Sequence, residues 1–300
     1  MELLSDRLAR IGSGPVELFS EPDRDRAFPE GPSLWAVGVV PVRGGSLYAS
    51  YGLSGALDAD RAASFELSIL VPGPPQPWPA LLLRAMAHDM RSSQRDRVIG
   101  EIIAFDDAIT RCFAAPAERS EYSESKQTVV VLTADPLLSV PGVEIRRVLG
   151  LDRSEQRLLE SWSLSGFLDI LQSMDPTLST DPARPSLADD HRFVEQIATG
   201  SRKEGSAYGL VCVPGVRWTL EGDSFRLELP AGPDGDHLWK MARARLAFAR
   251  DLRILDEDPT VLTDVLLLPG EHDATEIDGN TLTFTISDVE TWIGNARLTV

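Results

Sequence analysis

Ser64 to Met90 reads SFELSILVPGPPQPWPALLLRAMAHDM, and this stretch decides the fold. Phe65, Leu67 and Ile69 alternate with Glu66 and Ser68, the period of a strand with one buried face. Pro72, Gly73, Pro74, Pro75 and Pro77 then stop regular pairing, because proline brings no amide donor to a ladder. Pro79, after Trp78, suits the first turn of a helix, where that donor has no partner anyway. Trp78, Leu81, Leu82, Ala85 and Met86 fall on one helical stripe. The unit is strand, turn, helix.

Upstream, residues 1–12 place Leu3, Leu4, Leu8 and Ile11 near helical spacing, and Gly12, Gly14 and Pro15 end that helix. Residues 20–33 (SEPDRDRAFPEGPS) read as loop. Leu34 to Val42 reads as a strand, which Gly44-Gly45 turns into Ser46 to Leu53. Downstream, Ile99 to Phe105 is a strand candidate, residues 114–126 a mobile surface loop, and Thr128 to Thr133 (TVVVLT) a buried strand. Val143 to Leu149 is a further strand. Asp152, with Glu155 three residues on, opens a helix carrying Leu158, Leu159 and Trp162. Gly166 breaks or kinks it, and Pro176 ends it.

The second half repeats this order in part. Tyr51-Gly52-Leu53 recurs as Tyr208-Gly209-Leu210, Ser64-Phe65-Glu66-Leu67 as Ser224-Phe225-Arg226-Leu227, and the helix near Trp78 as one near Trp239. Distant duplication and chance recurrence of a short strand–helix unit both stand. Either way the fold class is α+β: two strand-rich lobes with mixed or antiparallel sheets flanked by a few helices. The expected organisation is an N-terminal helix and loop (1–33), a first domain (34–190), a connection (191–205) and a C-terminal α+β lobe (206–300). Asp278-Gly279 reads as a hairpin turn between Thr275-Glu276-Ile277 and Thr281 to Ile286.

Three hundred residues, 43% of them apolar, suffice for one large or two smaller cores. With 46 acidic against 29 basic residues, the charge is −17 at pH 7. Such a field repels phosphate backbones, disfavouring direct nucleic-acid binding and favouring a basic protein partner. Cys112 and Cys212, the only cysteines, make neither a disulfide framework nor a thiolate metal site, and read as small buried residues. No signal-like segment opens the sequence and no run of about 18 apolar residues interrupts it, so a cytoplasmic protein without membrane contact is expected.

Catalytic motifs are missing: the sequence contains no G-x-G-x-x-G, phosphate loop, G-x-S-x-G or H-E-x-x-H. Asp189-Asp190-His191 and Glu271-His272-Asp273 are weak metal candidates, since adjacent loop side chains rarely converge on one ion. Asp106-Asp107 and Asp256-Glu257-Asp258 offer paired carboxylates, with charged loop ends as the ordinary alternative. The expectation is a protein that is not an enzyme, with no cofactor and no metal.

Tyr51-Gly52-Leu53-Ser54, Ser64-Phe65-Glu66-Leu67, and Pro77-Trp78-Pro79 with Leu81-Leu82-Leu83 resemble the suppressor-of-fused domain. So does a second block: Leu149-Gly150-Leu151, Glu155, Trp162, Gly166 to Leu171, Thr180-Asp181 and Arg184-Pro185-Ser186-Leu187. Together they span roughly residues 34–190. One departure is Gly100-Glu101, where the family carries a glycine-histidine pair. The resemblance implies a binding protein. Animal relatives hold a transcription-factor peptide between two lobes as an added strand, and bacterial relatives are thought to act as immunity proteins against polymorphic toxins.

Two binding functions follow. One is a bacterial immunity protein that masks a cognate, basic toxin domain; the other is an adaptor holding a partner segment as a strand between the lobes. For either, the partner-binding candidates are Tyr51, Tyr208 and Trp218 as rigid aromatic anchors, with Asp106 and Asp107 as the acidic complement.

Overall fold

The computed structural model describes residues 2–19, 36–54, 65–93, 95–114, 119–122, 124–221, 224–258, 260 and 264–297. The loop read over 20–33, Trp35, and part of that read over 114–126 lie outside them. The class is α+β, and the chain divides into two units. The first is Met1–Arg153 with Leu171–Ser186; the second is Ser154–Ile170 with Leu187–Val300.

The first unit carries β1 (Glu17–Phe19), β2 (Ala36–Val42), β3 (Gly45–Tyr51), β4 (Phe65–Val71), β5 (Ile102–Ala104), β6 (Val129–Ala134) and β7 (Glu144–Leu151). They form one sheet in the order β1-β2-β3-β4-β7-β6-β5, antiparallel except for the central β4–β7 pair. Its helices are α1 (Glu2–Ile11), α2 (Pro77–Ser93) and α3 (Ile109–Phe113).

Strand β4 departs from the one-faced expectation, because all seven of its residues are buried. Phe65, Leu67 and Ile69 pack with Trp78, Leu82, Leu83 and Met86 of α2. Leu70 lies in a second core with Leu4 and Leu8 of α1, Leu47 and Tyr51. A strand covered on both faces has no solvated side, so Glu66 and Ser68 are buried and must find partners inside. The α2 stripe also sits slightly differently. Trp78, Leu82, Leu83, Met86, Ala87 and Met90 are buried, while Leu81 and Ala85 lie at its margin.

Two polar devices hold this sheet. The Glu66 carboxylate accepts hydrogen bonds from Ser50 Oγ at 2.5 Å, Gly52 N at 3.0 Å, Ser54 N at 2.9 Å and Ser54 Oγ at 2.6 Å. Tyr51-Gly52-Leu53-Ser54 and Phe65-Glu66-Leu67 are thus one clamp. The second device lies where β4 and β7 stop pairing at Ser68 and Arg147. Beyond that point Thr180 bridges them. Its amide donates to Leu70 O at 2.8 Å, its hydroxyl to Val148 O at 3.2 Å, and Gly150 N donates to its Oγ1 at 3.0 Å. Beneath it, Arg147 and Asp135, both fully buried, form an ion pair at 2.9 Å.

The second unit carries β8 (Leu210–Val213), β11 (Leu252–Asp256), β12 (Asp264–Pro269), β13 (Ala274–Asp278) and β14 (Thr281–Ile286), in the order β13-β14-β12-β11-β8. A separate hairpin joins β9 (Arg217–Glu221) to β10 (Ser224–Glu228). Its helices are α4 (Arg153–Glu160), α5 (Leu164–Met174, which straddles the division), α6 (His191–Glu204), α7 (Gly232–Leu246) and α8 (Val289–Arg297). Val211, Ile254, Val265, Leu267 and Phe284 form a core with Leu238 and Trp239 of α7 and Trp292 of α8.

Further expectations are corrected here. The helix break falls at residues 161–163, ahead of Gly166. Gly166 instead lets α5 approach the Trp162 ring, which a Cβ there would meet at 2.3 Å; Gly200 of α6 does the same from the other helix. The halves do not share a topology: β4 sits at the centre of seven strands, whereas β10 belongs to a two-stranded hairpin. Both cysteines are exposed. Cys112 lies on a short surface helix, and Cys212 alternates outward from β8 between buried Val211 and Val213.

Candidate functional site

Strands β1 and β5 are the edges of the seven-stranded sheet. Strand β5 faces β6 through Leu132 N to Glu101 O at 3.1 Å and Phe105 N to Thr128 O at 2.8 Å, with Ile103 opposite Val130. Antiparallel bonds alternate along a strand, so the amides of Ile102 and Ala104 point away from β6. No described strand pairs with them on that side.

A cavity of about 270 Å³ opens beside this edge, lined by Ala85, Met86 and Asp89 of α2, Arg97, Ile103 of β5 and Phe105. Its floor is apolar and its rim is charged. Arg97 contacts Asp89 and Glu101, each at 2.5 Å, and Arg95 approaches Glu101 at 3.2 Å. Burial opposes the Arg97 charge, but the two carboxylates together raise its pKa above the ordinary arginine value. Glu101 is an anchor for Arg97 and also accepts from Val98 N at 3.1 Å. Val98 and Ile99, just before the strand, are exposed apolar residues.

The five residues chosen from sequence are dispersed. Asp106 and Asp107 follow Phe105 directly and are exposed beside the cavity. Asp107 binds the Arg111 guanidinium, which holds its pKa down at about 2. Tyr51 is buried on β3, separated from β5 by three strands, where its hydroxyl accepts from Ser5 Oγ at 3.1 Å; burial raises its pKa. Tyr208 and Trp218 belong to the second unit, both packed on its core. Burial, reinforced by the Glu160 carboxylate, raises the Tyr208 pKa. In the first unit, therefore, only the acidic pair adjoins the edge groove. Met86, Asp89, Arg97 and Ile103 were not named as site residues from sequence; the apolar Val98-Ile99 pair at the head of the strand candidate was the available signal.

Two of the metal-candidate carboxylates have local structural duties. Asp190 caps α6 by accepting from Arg192 N at 2.8 Å, and Asp273 accepts from Ser287 N at 2.8 Å. Among the described residues, no three His, Cys, Asp or Glu side chains gather as an ion site. No described helix is long and apolar enough to cross a membrane.

No protein-family model matches the chain, and no curated protein does. Solved structures do. Drosophila Suppressor of Fused matches with a TM-score of 0.63 at 14% identity, over 89% of this chain and 83% of its own. A chain of the Sufu–Fu complex matches with a TM-score of 0.52 at 17% identity, over 66% of this chain and 96% of its own. A chain described as a SUFU homolog from Neisseria gonorrhoeae FA 1090 matches with a TM-score of 0.45 at 15% identity, over 62% of this chain and 94% of its own. The sequence resemblance is borne out at the level of the fold, which is that of suppressor of fused.

Proposed function

We propose that this chain, built on the suppressor-of-fused fold, is a non-catalytic protein-binding protein that takes an extended partner segment as an added strand on β5. The observation that carries the reading is the outer side of β5, with which no described strand pairs, beside an apolar cavity. Main-chain bonds to Ile102 and Ala104 would supply affinity, and the cavity would select one apolar side chain of the incoming strand. The Sufu–Fu complex, a structure of the same fold with a partner, supports a protein ligand.

Affinity purification of the tagged protein from its host, at low and high salt, tests this with Ala104→Pro in parallel. Proline removes an outward amide while an edge strand tolerates it. Recovery of one dominant partner by wild type and its loss with Ala104→Pro is the expected result. Equal recovery by both places the interface elsewhere.

The charge of −17 favours a specific partner class: a basic toxin domain, for which this chain acts as the cytoplasmic immunity protein of a polymorphic toxin system. Deleting the gene in a host with the cognate toxin active is then expected to arrest growth. Normal growth would leave the adaptor reading, with the segment bound but no toxin to neutralise.

A further inference from the structure

The second unit has an open sheet face with its own chemistry, independent of β5. The inner side of the five-stranded sheet is filled by Val211, Ile254, Val265, Leu267 and Phe284. The alternate residues point the other way. Leu266 sits on β12, flanked by β11 and β14, and is nevertheless partly exposed. A mid-sheet side chain whose inner neighbours are buried reaches solvent only through the opposite face, so that face is open. Leu255 and Leu268 share it, with Leu210 45% exposed at the β8 edge.

The segment that carries β11 to β14 is strongly acidic. Between Asp251 and Glu290 the sequence holds eleven carboxylates and one arginine, a net −10 of the chain's −17. That arginine, Arg253, is engaged by Asp264 through bonds of 2.9 and 2.6 Å. On the far edge, β13 is exposed at every residue. Glu276 and Asp278 point to the same side as Thr283 and Thr281, their partners in register, and make no ion pair among the described residues.

We propose that this face docks a basic amphipathic protein segment, its apolar side chains on Leu255, Leu266 and Leu268 and its lysines or arginines against Glu276 and Asp278. The apolar strip supplies contact area and the acidic edge supplies register. The same charge argues against the other occupants. A second copy would set two such edges against each other, and an anionic lipid surface would be repelled.

The test uses the full chain and a fluorescein-labelled ten-residue peptide of alternating lysine and leucine, followed by anisotropy. Glu276→Lys with Asp278→Lys is expected to weaken binding by about tenfold or more, since two attractions become repulsions. Leu266→Lys is expected to weaken it similarly, with circular dichroism confirming the fold. A charge-matched control, Glu17→Lys with Glu195→Lys on exposed positions elsewhere, is expected to change affinity by less than about twofold. Equal weakening by the control reduces the effect to net charge and overturns the proposal. So does unchanged affinity in the β13 variant, equal binding of a glutamate–leucine peptide, or sedimentation showing a dimer that Leu266→Lys dissolves.

Discussion

Glu66 shows how a residue's duty depends on what covers its strand. Period-2 alternation assigns it to a solvated face, and alternation alone does not report whether a second layer lies there. A buried carboxylate with five donors is a structural knot. Glu66→Ala leaves those donors unpaired and is expected to cost roughly 2–4 kcal/mol in urea unfolding. A loss below about 0.5 kcal/mol would remove the clamp from the account. Tyr48 gives a second prediction at this scale. Its buried hydroxyl donates to Gln76 O at 2.8 Å and accepts from Gln76 N at 2.6 Å, and burial raises its pKa to about 12. A tyrosine that holds its proton more tightly when folded stabilises the fold below pH about 10, its unfolded pKa. That stability is lost as pH rises towards 12. Allowing for partial solvent screening, the loss is expected to be about 1–2 kcal/mol. Tyr48→Phe should be less stable at neutral pH yet show a flatter alkaline profile; an identical profile would contradict the assignment.

Among the elements, long periodic segments were legible, and so was β5 within the strand read over Ile99 to Phe105, whereas the five-residue helix α3 was not. The α2 helix, the β2–β3 hairpin and β6 follow from stripe, turn and β-branched run. Thr180 was legible only as part of a resemblance, because its work is long-range: it joins β4 to β7 from 110 positions beyond Leu70. Thr180→Val keeps the shape but removes the acceptor of Gly150 N, and is expected to cost about 1–3 kcal/mol. Thermal melting of the variant checks it, with an unchanged midpoint as the contrary result. The groove at β5 was hidden for a related reason. Three short residues paired on one side, a helix end and a loop arginine build it, and their convergence depends on sheet order rather than on local pattern. Asp106 and Asp107, which follow Phe105 at the groove's margin, were legible as charge beside a strand end. Tyr51, offered as an aromatic anchor, packs against α1, and in sequence an aromatic at a strand end looks the same whether it faces a partner or its own helix.

For the whole molecule, charge was the most legible property and strand order the least. The excess of acid follows from counting, and its concentration between Asp251 and Glu290 gives it a location. Association with a basic partner is therefore expected to slow at least tenfold between about 50 and 500 mM salt, while dissociation changes little. Stopped-flow mixing checks this, and a salt-independent association rate would contradict electrostatic steering. The central claim is narrower: β5 receives the partner as a strand. Hydrogen exchange on the complex with the partner recovered by affinity purification tests it most directly. The account predicts slowed exchange at Ile102 and Ala104, whose amides gain acceptors on binding, with Ile103, already paired to β6, little changed. Unchanged exchange at Ile102 and Ala104 in a saturated complex would contradict it.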